Sequence, residues 1–422
     1  GCANIFQNRN GILTSMIRSI TKVSPMTVVF NKPFTLQEPI EETGIAKALE
    51  ILKSGKLHRY NTAPGETGEA ALLEEEFAAY MGKKYCLSCA SCGSAMYIAL
   101  KAAGVAPGDK VLCNAYTLAP VPGAIQNCGA RIELVEIVED YTIDLDDLDA
   151  KAKGAQWLLL SHMRGHITDM DRIMEICTAH DITLIEDCAH TMGAAWDGQK
   201  SGSFGIAGCY STQTYKHMNS GEGGLLVTDD DELMARAIIY SGSYMLYERH
   251  TARPPMAVFE KIKMAVPNYS SRMDNLRAAI LRPQLRRLDD QCRRWNQRYD
   301  FLAKGLGKIP GIFVPERNPK EKYVGSSIQF SLTDQPPEII QAFLTTCLDR
   351  GVELKWFGST EPIGFTSAYG SWQYFKDLPV LPNTDRILAV MCDMRIPLTF
   401  DLDDCDLILN IIKDTASQIL KL

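Results

Sequence analysis

Lys216 stands five residues after Ser211 and five before Gly221, in the run Tyr210-Ser211-Thr212-Gln213-Thr214-Tyr215-Lys216 that leads into Gly221-Glu222-Gly223-Gly224. Ser211 closes a short apolar run, and the glycines past Lys216 predict a tight turn. Upstream, the apolar run 182–186 ends at Asp187, with His190 three residues later. Earlier still, Ser91-Cys92-Gly93-Ser94-Ala95-Met96 separates an apolar run from a helical pattern. An amine in a turn, an acid at a strand end and a Gly-Ser turn at a helix start are the parts that pyridoxal phosphate (PLP) chemistry needs. Lys216 would form the Schiff base, and Asp187 would hold the ring nitrogen protonated through a charge-assisted hydrogen bond. Unpaired N–H groups at the helix start, with Gly93 for close approach and the Ser94 hydroxyl, would take the phosphate. His190 could hydrogen-bond the ring hydroxyl. Each residue alone also has an ordinary reading: a surface lysine, an aspartate capping a turn, a serine N-cap, a structural histidine. The combination, in this order, is the specific signal.

These residues need strand ends to sit on, and the chain supplies them. Short apolar runs fall at 85–88, 110–113, 131–136, 157–161, 182–186, 208–211 and 224–228. Helical patterns fall between them at 94–103, 119–127, 169–179 and 230–240. Continuous apolar strands separated by helices predict an α/β fold, with a mostly parallel central sheet and helices on both faces. Ligands of such sheets gather at the carboxyl ends of the strands, where Cys92-Gly93, Asp187 and Ser211 fall. Two helices precede the sheet. The first starts near Glu41 with Ile45, Ala48, Leu49 and Leu52 at i, i+3, i+4, i+7 and stops at Gly55, and the second covers 69–81. A long charged helical stretch spans 273–306, where Pro283 predicts a kink. Strands at 327–332 and 352–357 and helices at 337–350 and 403–420 predict a smaller C-terminal α+β domain. The expected division is an N-terminal arm over 1–40, a large cofactor-binding domain over 41–285 and a small domain over 286–422.

At 422 residues the chain is long for one core. With 44 basic and 51 acidic residues its net charge is −7, which points away from nucleic acid and anionic membranes as partners. No apolar run reaches the roughly 18 residues that span a bilayer. Thirteen cysteines in so long a chain favour a reducing, cytoplasmic compartment over a disulfide framework. Cys86, Cys89 and Cys92 have iron–sulfur spacing, but the fourth ligand is missing and their side chains would diverge from strand into helix, so no metal is expected. The first 37 residues lack acids and carry Arg9, Arg18, Lys22 and Lys32. That is the composition of a flexible arm or, alternatively, of an organelle-targeting segment.

The chain resembles the DegT/StrS-type sugar aminotransferases, a branch of the fold-type I PLP enzymes, from about Leu52 to Leu288 and more loosely beyond. The matching motifs are Tyr80-Met81-Gly82-Lys83 through Leu100, Gly108-Asp109-Lys110-Val111, and His162-Met163-Arg164-Gly165 followed by Asp169-Met170-Asp171. Ile185-Glu186-Asp187-Cys188-Ala189-His190 and the segment from Asn268 to Leu285 complete them. The resemblance implies Lys216 as the Schiff-base lysine, Asp187 on the pyridine nitrogen and His190 beside the ring oxygen. It also implies Gly93, Ser94, Ala95 and Ser211 on the phosphate. Leu118 stands where the family stacks an aromatic on the cofactor ring. Asn268 would reach the phosphate of a partner subunit, so a homodimer with shared active sites is expected.

The expected activity is amino transfer from glutamate or glutamine to a keto or aldehyde sugar, nucleotide sugar, sugar acid or cyclitol. A sugar dehydratase of the same fold would carry histidine in place of the lysine, and a PLP-binding regulator would bind without turnover. Arg164, His58, Arg59 and Arg272 are candidate anchors for an acidic acceptor. The aromatic-rich run from Trp356 to Trp372 could shape the acceptor pocket.

Overall fold

Runs buried on both sides become central strands, and segments with one apolar face become the helices that cover them. The computed structural model describes residues 28–361, 363 and 368–421. Its central sheet has seven strands: β1 (Tyr85–Cys89), β2 (Lys110–Asn114), β3 (Arg131–Val135), β4 (Trp157–Ser161), β5 (Thr183–Asp187), β6 (Ala207–Ser211) and β7 (Gly224–Thr228). Their spatial order is β1-β7-β6-β5-β4-β2-β3. The pairs from β6 to β3 are parallel, while β7 is antiparallel to both β1 and β6.

Alternate side chains enter two cores. Leu112, Leu158, Leu184 and Tyr210 face one, and Val111, Leu159, Ile185 and Cys209 face the other. Cys86 lies in the first core, and Cys89 and Cys92 lie in the second, each as a buried free thiol.

The helices that frame the site are α1 (Glu42–Ser54), α2 (Glu69–Met81), α3 (Cys92–Ala103), α4 (Asn275–Arg286) and α5 (Leu288–Leu306). The α1 stripe turns out differently from its pattern. Gly44 and Ile51 are the buried residues and Gly44 packs on Ile280, whereas Leu49 and Leu52 are 48% and 53% exposed. The face that α4 covers is thus the one bearing the small glycine, and the larger apolar residues stay outside. The long helical stretch breaks at Arg287, one turn after Pro283, which itself stays inside α4.

A second sheet is built from the C-terminal segment: β8 (Ile312–Phe313), β9 (Ser327–Leu332), β10 (Lys355–Trp356) and β11 (Met391–Arg395), in the order β8-β9-β11-β10 and all antiparallel. The expected strand at 352–357 is cut to two residues, and β11 has no counterpart among the expected strands. Residues 28–40 pack on this segment. Phe30, Phe34 and Phe400 meet edge to face at 4.9–5.7 Å, and Glu38 and Glu41 pair with Arg294 and Arg287. Residues 1–27, which carry most of the acid-free segment, lie outside the described residues.

One contact joins the two halves of the site. β7 begins at Gly224, where a β-carbon would collide with the Ser91 carbonyl and come within 2.6 Å of the Cys92 nitrogen. Only glycine lets the hairpin after Lys216 press against the start of α3. Gly224→Ala is expected to lower stability by about 2–4 kcal/mol, read as a lower urea midpoint, with weaker PLP retention.

Candidate active site

The carboxyl ends of β5 and β6 and the start of α3 open into a cavity of about 600 Å³. Ser91, Cys92, Gly93, Leu118, Asp187, His190, Ser211 and Lys216 line it from the central sheet, and Lys355 and Arg395 line it from the second sheet.

Lys216 is held by a pinned turn. Thr212 and Thr214 donate backbone N–H bonds to the Gly223 and Gly221 carbonyls, and Lys216 donates to the Gln213 carbonyl. His217, next in sequence, bonds the Met192 carbonyl through Nδ1 at 2.7 Å and Ser326 through Nε2 at 3.1 Å. Asn219 exchanges two hydrogen bonds with Gln284 of α4. The turn is therefore fixed on both sides, and the lysine side chain reaches inward. Its Nζ lies 2.7 Å from His190 Nε2. Burial, and then the Arg164 charge, push the Lys216 pKa down to about 8, with Asp187 opposing. His190 Nδ1 accepts the Arg164 backbone N–H at 3.3 Å. Burial and the Lys216 charge hold His190 well below its ordinary range. Below pH 8 the amine is an ammonium that donates to neutral His190, and above it the imidazole N–H can donate to the free amine.

Asp187 is aimed with equal care. Its Oδ2 accepts the Ser161 hydroxyl at 2.7 Å, its Oδ1 accepts the Ala189 N–H at 3.0 Å, and Thr117 donates to Ser161 in turn. The preceding Glu186 points to the other side of the sheet. It is fully buried and accepts the N–H groups of Gly202, Phe204 and Gly205 at 2.8–2.9 Å. Two successive acids on one strand therefore do separate work, because side chains alternate.

At α3, the Ser91 hydroxyl caps the helix by accepting the Ser94 N–H at 3.0 Å. The N–H groups of Cys92 and Gly93 have no acceptor within the helix. With the positive end of the helix dipole they form an anion cradle next to Ser211, which also lines the cavity. This donor set fits PLP: a cradle for its phosphate, a carboxylate for its ring nitrogen and an amine of lowered pKa for its aldehyde.

Not every expected residue reaches the cavity wall. Ala95 is fully buried, and its N–H is taken by the Ser91 carbonyl. Ser94 holds Ser91 instead of lining the cavity. Asn268 sits on an exposed loop, accepting the Ser270 N–H at 2.7 Å, and that loop is tied to the end of β1 by the Ala90 N–H to the Ser271 carbonyl. Of the candidate anchors only Arg164 lines the cavity. Arg59 is buried with Glu74 at 2.6 and 2.9 Å beside His250. Arg272 bonds the Gly242 carbonyl and the Ser270 hydroxyl, and His58 lies near Tyr60 and Tyr244. Trp356 donates to the Ala389 carbonyl, and Trp372 is buried near Phe375. Ser161, Lys355 and Arg395 are not singled out by sequence reasoning. Ser161 has a signal, as the last residue of the strand before Asp187. The other two have none beyond their charge.

A lysine whose pKa is lowered to about 8, an oriented strand-end carboxylate and a helix start, gathered at one edge of this sheet, define a PLP-dependent enzyme of fold type I. The chain matches the DegT/DnrJ/EryC1/StrS aminotransferase family over residues 38–413 and belongs to it. It is a PLP-dependent aminotransferase. The spore coat polysaccharide biosynthesis protein SpsC of Bacillus subtilis (strain 168) is 30% identical over 292 residues, covering 68% of this chain and 71% of its own. The dTDP-3-amino-3,4,6-trideoxy-alpha-D-glucose transaminase of Streptomyces venezuelae is 32% identical over 288 residues, 66% of this chain and 69% of its own. The crystal structure of 3-amino-5-hydroxybenzoic acid synthase has a TM-score of 0.79 at 22% identity, covering 92% of this chain and 99% of that one. Among the described residues no helix is long and apolar enough to cross a membrane.

Burying an amine lowers stability wherever the unfolded chain would protonate it. With a native pKa near 8 against 10.5, the penalty is complete below pH 8 and is lifted as pH rises to 10.5. Lys216→Met is expected to stabilise the cofactor-free protein at pH 7 by up to about 3 kcal/mol. Urea midpoints at pH 7 and pH 10.5 check this, and the gain should shrink at the higher pH.

Proposed function

We propose that this enzyme moves an amino group from glutamate or glutamine to a keto or aldehyde sugar, a nucleotide sugar, a sugar acid or a cyclitol. The observation that carries the reading is the buried Lys216 amine, 2.7 Å from His190 in the same cavity as Asp187. The dTDP-linked amino sugar in the name of the Streptomyces relative supports a sugar acceptor. When bound, PLP supplies an electron sink for negative charge at the reacting carbon.

The residues then divide the work. Lys216 Nζ takes the α-proton of the donor and returns it one atom away, acting first as base and then as acid. A pKa near 8 suits both roles at neutral pH. Asp187, oriented by Ser161 and the Ala189 N–H, keeps a proton on the ring nitrogen. His190 would lie beside the ring oxygen, as the family resemblance implies. Gly93, Ser211 and the helix start take the phosphate, with Ser94 steadying the turn. Leu118, which lines the cavity, would cover one ring face by apolar contact, without the offset stacking that an aromatic ring would add.

We further propose a homodimer. Ile45, Leu49, Leu52, Leu57, Tyr244 and Met245 are large apolar residues exposed in the single chain, which a subunit contact would cover. Asn268, on its exposed loop, would serve the partner's phosphate. The reading takes residues 41–285 as the cofactor-binding domain and 286–422 as the small domain. The twelve described cysteines are free and buried, which supports a reducing compartment such as the cytoplasm.

Lys216→Ala is expected to purify without the Schiff-base absorbance and to lose turnover, while Asp187→Ala keeps the amine and loses at least 100-fold in turnover. Full activity in Lys216→Ala would overturn the assignment. The deciding assay loads the enzyme with pyridoxamine phosphate and screens keto sugars and aldehydes for return of the PLP spectrum. If no amino donor ever converts the PLP-loaded protein, a PLP-binding regulator replaces the enzyme reading.

A further inference from the structure

The turn after β4 holds a main-chain conformation that most residues avoid. Arg164 has φ 55° and ψ 22°, in the left-handed region, and Gly165 follows at φ 82°. An L-residue enters that region at a cost, because its β-carbon crowds the next carbonyl, and it stays there only where its surroundings over-determine it. What the conformation supplies is one donor. The Arg164 N–H reaches His190 Nδ1 at 3.3 Å, while His190 Nε2 lies 2.7 Å from Lys216 Nζ.

The second sheet grips this turn at two points. The Arg164 guanidinium meets Asp393 Oδ2 at 3.0 Å. Asp393 on β11 is the register partner of Gln329 on β9, and the Gln329 amide donates to Asp393 Oδ1 at 2.7 Å and to the Ser327 hydroxyl at 2.9 Å. The Gln329 carbonyl oxygen is thereby left for His166, whose Nε2 lies 2.6 Å away. Burial and the Arg317 charge hold His166 well below its ordinary range, so it is neutral and donates from Nε2. The path leaves the turn at Arg164, crosses two strands and returns to the turn at His166. Asp393, Gln329 and His166 are all buried, where such a network is stiff. Arg317 adds a further hold by donating to the Gly165 carbonyl at 2.9 Å.

A neutral imidazole has one N–H and one acceptor nitrogen. With Nδ1 accepting from Arg164, the proton of His190 belongs on Nε2, toward the amine. An ammonium at Lys216 needs Nε2 as its own acceptor, which moves the imidazole proton to Nδ1, against the Arg164 N–H. The free amine meets no such conflict, so the backbone donor favours it, in the same direction as burial. The other titratable groups that face the pair are Asp187 from β5, Cys92 from α3, Arg395 from β11, and His166 and His217 from the turns. They act through space, whereas the Arg164 N–H selects which ring nitrogen carries the proton.

We infer that Asp393, Gln329 and His166 are positioning residues that act through Arg164: they hold its backbone N–H on His190 Nδ1 and so keep the imidazole proton on Nε2, facing Lys216. This deepens the aminotransferase reading and rests on it for its catalytic meaning, because His190 and Lys216 are groups that reading puts to work.

The test reads the tautomer directly. Full-length enzyme with isotope-labelled histidine ring nitrogens is observed by NMR, where chemical shifts separate protonated from bare nitrogens. Spectra are taken with PLP bound and again after its removal, at about pH 9.5, above the Lys216 pKa of about 8. The His190 signals are those lost in His190→Gln. His190 should be the Nε2–H tautomer in both states, and an Nδ1–H tautomer overturns the inference. Gln329→Leu and Arg164→Ala should each bring in the Nδ1–H form. Arg164→Gly removes the same side chain but accepts a positive φ without strain, so it should keep the Nε2–H tautomer. A tautomer unchanged in both Gln329→Leu and Arg164→Ala, or lost equally in Arg164→Ala and Arg164→Gly, overturns the inference. In the cofactor-free protein, trace acetylation of Lys216 by acetic anhydride across pH gives its titration midpoint. That midpoint should lie about 0.5 pH unit or more higher in Arg164→Ala than in Arg164→Gly, and equal midpoints count against the proposal. Urea midpoints report that each variant folds, and should Gln329→Leu not fold, the alanine and glycine pair still decides. Should the protein take up no PLP, the aminotransferase reading fails on the missing absorbance, whereas the tautomer of His190 in the same protein still tests this inference.

Discussion

A primary amine acts as nucleophile and base near neutral pH only as far as its hold on the proton is weakened, and the surroundings of Lys216 weaken it, lowering the pKa to about 8. Burial strips the amine of part of its hydration, Arg164 adds repulsion, and neutral His190 lies 2.7 Å away. Each condition depends on a different part of the fold. The turn comes from β6 and β7, the histidine follows β5, and the arginine follows β4. The central sheet is what brings the three together, because parallel neighbours present their carboxyl ends at one edge.

Strand β5 shows how tightly this edge is built. Glu186 and Asp187 are adjacent, yet one is used to close a loop and the other to face a ligand. Glu186 gathers three N–H groups of residues 202–205 and so fixes the approach to β6, which ends in Ser211. Asp187 gains its orientation from Ser161, its register partner on β4. Hydrogen bonding of this completeness is what allows two buried acids to persist side by side. The Arg59–Glu74–His250 cluster obeys the same rule elsewhere. Glu74 accepts from Arg59 and the Ser88 hydroxyl, and the Arg59 charge holds it well below the usual carboxylate range.

Much of this is legible in the sequence, because the functional residues sit where periodicity changes. Asp187 and Ser211 end apolar runs, Gly93 opens a helix and Lys216 precedes a glycine turn, and each of these signals is local. What cannot be read depends on distance. Lys355 and Arg395 lie far along the chain on short strands of a second sheet. The strand that carries Arg395, Met391-Cys392-Asp393-Met394-Arg395, reads as a mixed polar segment because it lines a charged wall on one face. Arg59 resembles a surface cation because nothing nearby in sequence announces Glu74 and His250 as its partners. The α1 stripe is legible as a helix, but which of its faces turns inward is decided by the fit of Gly44 against Ile280.

The second sheet has a consequence for when the lysine is reactive. Arg395 and the Ser326 contact of His217 both come from that sheet, while Lys216 belongs to the first. Any separation of the two sheets would admit water to the amine and remove the Arg395 charge. Its pKa would then climb back toward that of an ordinary lysine. The packing of the second sheet against the first is therefore part of what lowers the pKa of Lys216.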